Sequence, residues 1–125
     1  MKIGEVAERT GLPLRTIRQY EDTGLVVPSA ASEGGFPLYT DADVARLTVI
    51  RRMKPLGFTL DETRDLLTAL DHLTTASPDL PPETRAALVA RVRRYEEAAR
   101  KRVAELRAQL ARAEEFAGSL GGWVG

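Results

Sequence analysis

A chain of 125 residues can bury one modest core plus an extended element, and 43% hydrophobic with 29% charged residues suits a folded globular protein better than a disordered one. Eighteen basic residues balance eighteen acidic ones, so bulk charge does not announce a nucleic-acid partner and any such signal must come from local placement. With no cysteine, disulfides, thiolate metal sites and thiol redox chemistry are excluded, and with neither a secretory signal nor an apolar run of membrane length the expectation is a soluble cytoplasmic protein without a membrane partner.

In chain order, Ile3, Val6 and Ala7 recur at helical spacing and Gly11 supplies a stop, which predicts a first helix over about residues 4–10. Pro13 cannot sit inside a helix but can precede one, so a second helix is predicted over about 14–22, ending before Thr23-Gly24. Two short helices joined by a tight glycine-containing turn are the outline of a helix-turn-helix. Leu25-Val26-Val27 and Phe36–Tyr39 are β-prone runs separated by Pro28, Ser29, Ser32, Gly34 and Gly35, which reads as a hairpin wing. Thr40-x-x-Asp43 resembles a capping box opening a third helix with Val44, Leu47 and Ile50 on its apolar side, closed by Pro55 and Gly57. Thr59-x-x-Glu62 repeats the signal, and Leu60, Thr63, Leu66, Leu67 and Leu70 form the stripe of a fourth helix to about Asp71.

Residues 73–82, with three prolines, read as a linker loop. From there to Gly118 the chain has neither proline nor glycine and is dense in strong helix formers, so one long helix is expected over 83–117, followed by a short tail over 118–125 in which Trp123 is a hydrophobic anchor. At about 1.5 Å per residue the helix runs roughly 50 Å, too long to pack fully on so small a head, so most of it needs another partner. Leu88, Val92, Tyr95, Ala99, Val103, Leu106, Leu110, Ala113 and Ala117 make one apolar stripe at steps of three and four, with a single slip near Ala99–Val103. That pattern predicts a short coiled coil in a homodimer.

Projected at 100° per residue, the second helix places Leu14, Ile17 and Glu21 on one side, with Leu14 and Ile17 toward the core. Arg15, Thr16 and Gln19 point outward, and Arg18 and Tyr20 lie on the flanks, where a helix in a major groove meets the phosphate walls. The chemistry suits that geometry: arginine and glutamine pair bidentately with guanine and adenine edges, and threonine reaches a phosphate or a thymine methyl. The same side chains also suit a plain solvated face, so the surrounding residues must decide.

Those residues closely resemble the MerR family of bacterial regulators. The match runs without gaps from residue 1 to about 72 through Met-Lys-Ile-Gly-Glu-Val-Ala at 1–7, Thr10-Gly11, Arg15-Thr16-Ile17-Arg18, Tyr20-Glu21, Gly24-Leu25, Pro28, Gly35-Phe36, Tyr39 and Leu56-Gly57-Phe58-Thr59-Leu60. The resemblance implies a mainly α fold: a winged helix-turn-helix head of four helices and a small β wing over 1–72, and a long helix pairing antiparallel with its twin. It also implies a dimer on a palindromic promoter operator that distorts the DNA so that RNA polymerase engages. Carried over by position, Arg18 and Tyr20 become phosphate or groove-edge contacts, Thr16 a recognition-helix contact, Tyr39 a wing contact and Lys54 a weaker candidate.

Departures qualify the resemblance. Relatives commonly carry arginines at the positions of Ala31 and Pro37, and here Ser29–Leu38 holds no basic residue, which predicts fewer phosphate contacts and a shallower salt dependence. The bare wing leaves an alternative open: an architectural or protein-interaction module with no small-molecule effector. Metal-sensing relatives bind through cysteines, which this chain lacks, and the segment after Gly118 is too short for the ligand domain of drug-sensing relatives. His72 is the only histidine, Asp41, Asp43, Asp61 and Glu62 sit where helix N-termini favour negative charge, and no nucleophile–base set or phosphate loop is present. No enzyme activity, cofactor or metal is expected.

Overall fold

The computed structural model describes residues 1–74 and 79–125, in the element order α1 (Ile3–Thr10), α2 (Leu14–Asp22), β1 (Ala30–Ala31), β2 (Pro37–Leu38), α3 (Asp41–Met53), a 3₁₀ turn (Lys54–Leu56), α4 (Leu60–Thr74) and α5 (Pro82–Val124). It divides into two compact units, Met1–Leu67 and Thr68–Gly125. The division falls inside α4, between Leu67 and Thr68. Part of the expected linker, residues 75–78, lies outside the described residues.

The first unit is built around Val6, Ile17, Tyr20, Leu25, Val26, Tyr39, Leu47, Ile50 and Leu67, all buried. α1 ends as its sequence dictates: Gly11 takes the left-handed conformation (φ 72°) and its N–H bonds the Ala7 carbonyl at 2.9 Å. The buried Thr10 hydroxyl donates back to Val6 O at 2.8 Å and accepts from Leu12 N at 3.3 Å, which fixes the entry to the turn before α2. Pro13 holds the extended N-cap conformation of α2 and offers no side-chain cap.

After α2 the backbone N–H groups of both Leu25 and Val26 donate to the Tyr20 carbonyl, at 2.9 and 3.2 Å. This turn drives the two β-prone residues into the core instead of into the wing. Both wing strands are therefore shorter than expected and the first lies later, Ala30–Ala31 paired antiparallel with Pro37–Leu38 in the register Ala30↔Leu38 and Ala31↔Pro37. At the wing tip Ser32 N donates to Phe36 O, Gly35 N to Ser32 O and Phe36 N to the Ser32 hydroxyl, closing the turn with a left-handed Gly35 (φ 80°).

Both capping boxes form. Thr40 and Asp43 exchange side-chain-to-backbone bonds at 2.9 and 3.3 Å, and Thr59 and Glu62 do so at 2.9 and 3.1 Å. In α4, Thr63 and Leu67 are buried and Leu66 and Leu70 half-buried, but Leu60 is exposed because the first turn of the helix precedes the stripe's contact with the core. The helix runs to Thr74, three residues past its expected end.

In the second unit α5 is longer than expected at both ends and absorbs the segment 118–125 as helix up to Val124. Interior glycine costs about 1 kcal/mol against alanine, yet three glycines without a proline leave the ladder unbroken, and Gly125 N still donates to Gly121 O. Trp123 lies on this helix instead of a tail and is 87% exposed, with no surface of this chain packed against it.

Candidate nucleic-acid interface

α2 carries the outward set. Arg15, Arg18 and Gln19 are exposed, Thr16 is half-buried, and Ile17 is completely buried opposite them, so the helix turns one face to the core and a polar face to solvent. Leu14 does not join the core as the projection expected; it is 42% exposed at the first turn, beside the break at Pro13. Among the described residues Arg15, Arg18 and Gln19 have no side-chain hydrogen bond or ion pair with the rest of the chain. Their charge and amide groups remain available for an incoming partner.

Two of the expected contact residues pack largely into the core, Tyr20 only 6% exposed and Tyr39 only 3%, and each still lines one of the depressions beside α2. Helical projection placed Tyr20 at the edge of α2, and the Leu25–Val26 turn that bonds its carbonyl brings core side chains up to it. Tyr39 follows β2 and is drawn in by a two-bond pairing with the chain start, Tyr39 N to Met1 O and the Met1 amino group to Tyr39 O, each 2.7 Å. Its hydroxyl is buried with no hydrogen-bond partner.

Two depressions flank α2. One, of about 510 Å³, is lined by Arg18, Glu21, Lys2 and Ile3 together with the wing residues Ser32, Phe36, Pro37, Leu38 and Tyr39. The other, of about 290 Å³, brings Gln19 together with the exposed Lys54 and with Thr23, Phe58 and Leu60. Arg15 lines neither. A helix projecting between two clefts with a cation at the rim of each is the arrangement expected of an element that enters a groove while its neighbours meet the two backbones.

The wing is held by residues that the sequence reading used only as a helix cap. Asp43 is buried and accepts from Ser29 N at 3.0 Å and from the Ser29 hydroxyl at 2.6 Å besides capping α3, so one carboxylate fastens the root of the wing to a helix N-terminus. Burial alone would raise its pKa, and the combined hydrogen bonds from Ser29 and Thr40 overcome that and hold it low. Glu21 shows the reverse: burial first and Asp22 second raise its pKa, Arg18 only partly offsets them, and its Oε1 is buried without a donor. Arg46 Nε donates to Leu25 O at 2.9 Å and an Arg64 guanidinium nitrogen to Thr23 O at 2.7 Å, so these two arginines brace the turn after α2. Lys2 and the exposed Phe36 lie together on the lining of the wing-side depression.

The stripe expected to dimerise lies along α5 with exposure rising toward the C-terminus. Leu88 is buried, Val92, Tyr95 and Ala99 are half-buried, and Val103, Leu106, Leu110 and Ala113 are exposed. Because the helix continues, the apolar stripe does too: Val103, Leu106, Leu110, Ala113, Ala117, Leu120 and Val124 follow one another at alternating steps of three and four. Among the described residues no cluster of three His, Cys, Asp or Glu side chains is placed to hold a metal, and no helix is long and apolar enough to cross a membrane.

The comparisons with known proteins agree in direction. Residues 1–70 match the family model described as MerR HTH family regulatory protein, and 44–122 match one described as MerR, DNA binding. The regulator HmrR of Rhizobium leguminosarum bv. viciae is 42% identical over 80 residues, 64% of this chain and 61% of that protein. CueR of Yersinia pestis is 38% identical over 84 residues, 67% of this chain and 60% of CueR, so the chain matches about three fifths of the length of each relative. Among solved structures, PbrR691 from Ralstonia metallidurans CH34, in complex with lead(II), superposes with a TM-score of 0.56 at 34% identity, covering 94% of this chain and 85% of the other. HiNmlR, a regulator lacking the sensor domain and bound to promoter DNA, superposes at 0.66 with 21% identity over 94% and 86% of the two chains, a likeness of fold.

Proposed function

The chain belongs to the MerR family of regulators, and we propose that it works as a sequence-specific DNA-binding transcription regulator. In this reading two copies pair through α5 and present their α2 helices to successive major grooves of a palindromic operator, about 34 Å apart. Arg15 and Gln19 read base edges, Thr16 supports them from its half-buried position, and Arg18 and Lys54 grip the two backbones. Tyr20 and Tyr39 shape the head from inside it. Bending or untwisting of the promoter, followed by RNA polymerase engagement, is the route to regulation. No catalytic role, cofactor or metal enters the reading.

The observation that carries it is the exposed, unpaired Arg15–Arg18–Gln19 face of α2 standing between two clefts on a fully formed core. Selection of bound duplexes from a random library tests it. Recovery of an inverted repeat, bound with an affinity that falls steeply with salt, is the expected result; recovery of no sequence preference would overturn it.

A further inference from the structure

Among the described residues, the buried side-chain polar atoms without a hydrogen-bond partner are Glu21 Oε1 and the Tyr39 hydroxyl oxygen. Both residues line the larger depression beside α2, of about 510 Å³. A buried polar group left unmatched costs free energy, so two of them on one cleft call for an account in terms of what the head does. Tyr39 is neutral at physiological pH and Glu21 carries a group that can change its charge, so the account turns on the carboxyl.

Glu21 follows Arg18 by one turn of α2, yet the two form no ion pair, and the Glu21 side chain has no hydrogen bond with any other described residue. Its ionised form is therefore supported only by charge at a distance. The groups that bear on it are Arg18 and Asp22 of α2 itself, Lys2 from the segment leading into α1, and Tyr39 after β2. The Met1 ammonium is committed to the Tyr39 carbonyl. Burial first and Asp22 second favour the neutral carboxyl, and Arg18 works against them.

A phosphate engaged by Arg18 cancels the attraction that keeps Glu21 ionised and adds a negative potential of its own, while the duplex excludes water from this side of α2. All three changes act in the same direction. We propose that the Glu21 carboxyl takes up a proton when the head binds DNA, so that operator affinity is coupled to pH through this one group. The inference rests on the DNA-binding reading above and adds a regulatory input to it. The proton comes from solvent, sits on a carboxylate oxygen in the complex and returns to solvent on dissociation. The bound head thus releases this proton at a higher pH than the free head does. Between those two values affinity rises as pH falls, by up to about tenfold in the association constant per pH unit for each proton taken up. Above both values and below both, Glu21 contributes no pH dependence.

The test uses the whole chain and a duplex recovered by selection. Affinity is measured from neutral pH down toward the ordinary carboxylate range at constant ionic strength, and proton uptake is read separately by calorimetry in buffers of different ionisation enthalpy. The parent should bind more tightly as pH falls and take up as much as about one proton per head. Glu21→Gln, neutral at every pH and close in size, should bind at neutral pH with the affinity that the parent reaches only on acidification, and should lose the slope and the uptake. Its melting temperature at neutral pH should be no lower than the parent's, because the change removes a carboxylate that opposes folding. His72, the only histidine, also titrates in this range, and His72→Gln should leave slope and uptake as they are. Tight binding by the parent without proton uptake, or a Glu21→Gln chain that keeps the parent's slope, overturns the inference and leaves the DNA-binding reading intact. A parent chain that binds no duplex at any pH overturns both.

Discussion

The two units of this molecule keep their apolar side chains in opposite ways. In Met1–Leu67 large hydrophobic residues from four helices and the connecting segments are buried together, and two capping boxes and Asp43 tie the backbone around them. In α5 a seam of similar regularity ends in water, with Leu110 59% exposed and Leu120 50%. One unit has solved its burial problem inside a single chain and the other has not, which is why the proposed pairing of two copies falls on the second.

The largest expected effect follows from that difference. Leu106→Asp puts a carboxylate into the proposed seam, where an unpaired buried charge costs several kcal/mol, and should convert a dimer to a monomer in sedimentation equilibrium. The same change leaves the head's own core untouched, so its near-ultraviolet signal should persist; loss of that signal would show that the units are not independent. Leu47→Ala attacks the other side of the comparison. Leu47 is completely buried, and its truncation should cost about 2–5 kcal/mol of head stability in denaturant unfolding.

Asp43 and Glu21 sharpen the comparison within the head, and their pH dependences have opposite signs. Asp43 has a folded pKa below its ordinary value, so its contribution is fully present above that ordinary value and is lost as pH falls through the carboxylate range toward the folded value. Glu21 has a raised folded pKa; its ionised form opposes folding above that raised value, and the penalty lifts as pH falls toward the ordinary one. Acidification from neutral should therefore first relieve the head slightly and then weaken it. Glu21→Gln should abolish the relief, and Asp43→Asn should cost about 1–3 kcal/mol at neutral pH and flatten the acid limb in urea titrations. The smallest effect is on specificity: Gln19→Ala should shift base preference in a repeated selection while leaving the salt slope unchanged, whereas Arg18→Ala should weaken all sequences alike and lower the slope magnitude by about 0.9.

Helix positions and both capping boxes were legible in the sequence because they depend on residues three or four apart, such as Thr40 with Asp43 and Thr59 with Glu62. The face of α2 carrying Arg15, Arg18 and Gln19 was legible for the same reason. What stayed hidden depends on contacts distant in the chain or on backbone that folds back. The burial of Tyr20 depends on the Leu25–Val26 turn that bonds its carbonyl, and that of Tyr39 on its pairing with Met1. Asp43 reads as a cap, and only the fold brings Ser29 to its other oxygen. The glycines at 118, 121 and 122 argued for a tail by propensity alone, and the helix passes through them because no proline interrupts its ladder.

The central claim is that DNA reading by the head depends on pairing through α5. It is tested most directly by measuring, on one set of samples, the sedimentation mass and the affinity for a selected inverted-repeat duplex of the parent chain and of Leu106→Asp. The account predicts a dimer with tight, salt-sensitive binding for the parent, and for the variant a monomer that binds the repeat no better than a single half-site. A monomeric variant that binds the full repeat with the parent's affinity, or a variant that remains a dimer, would contradict it.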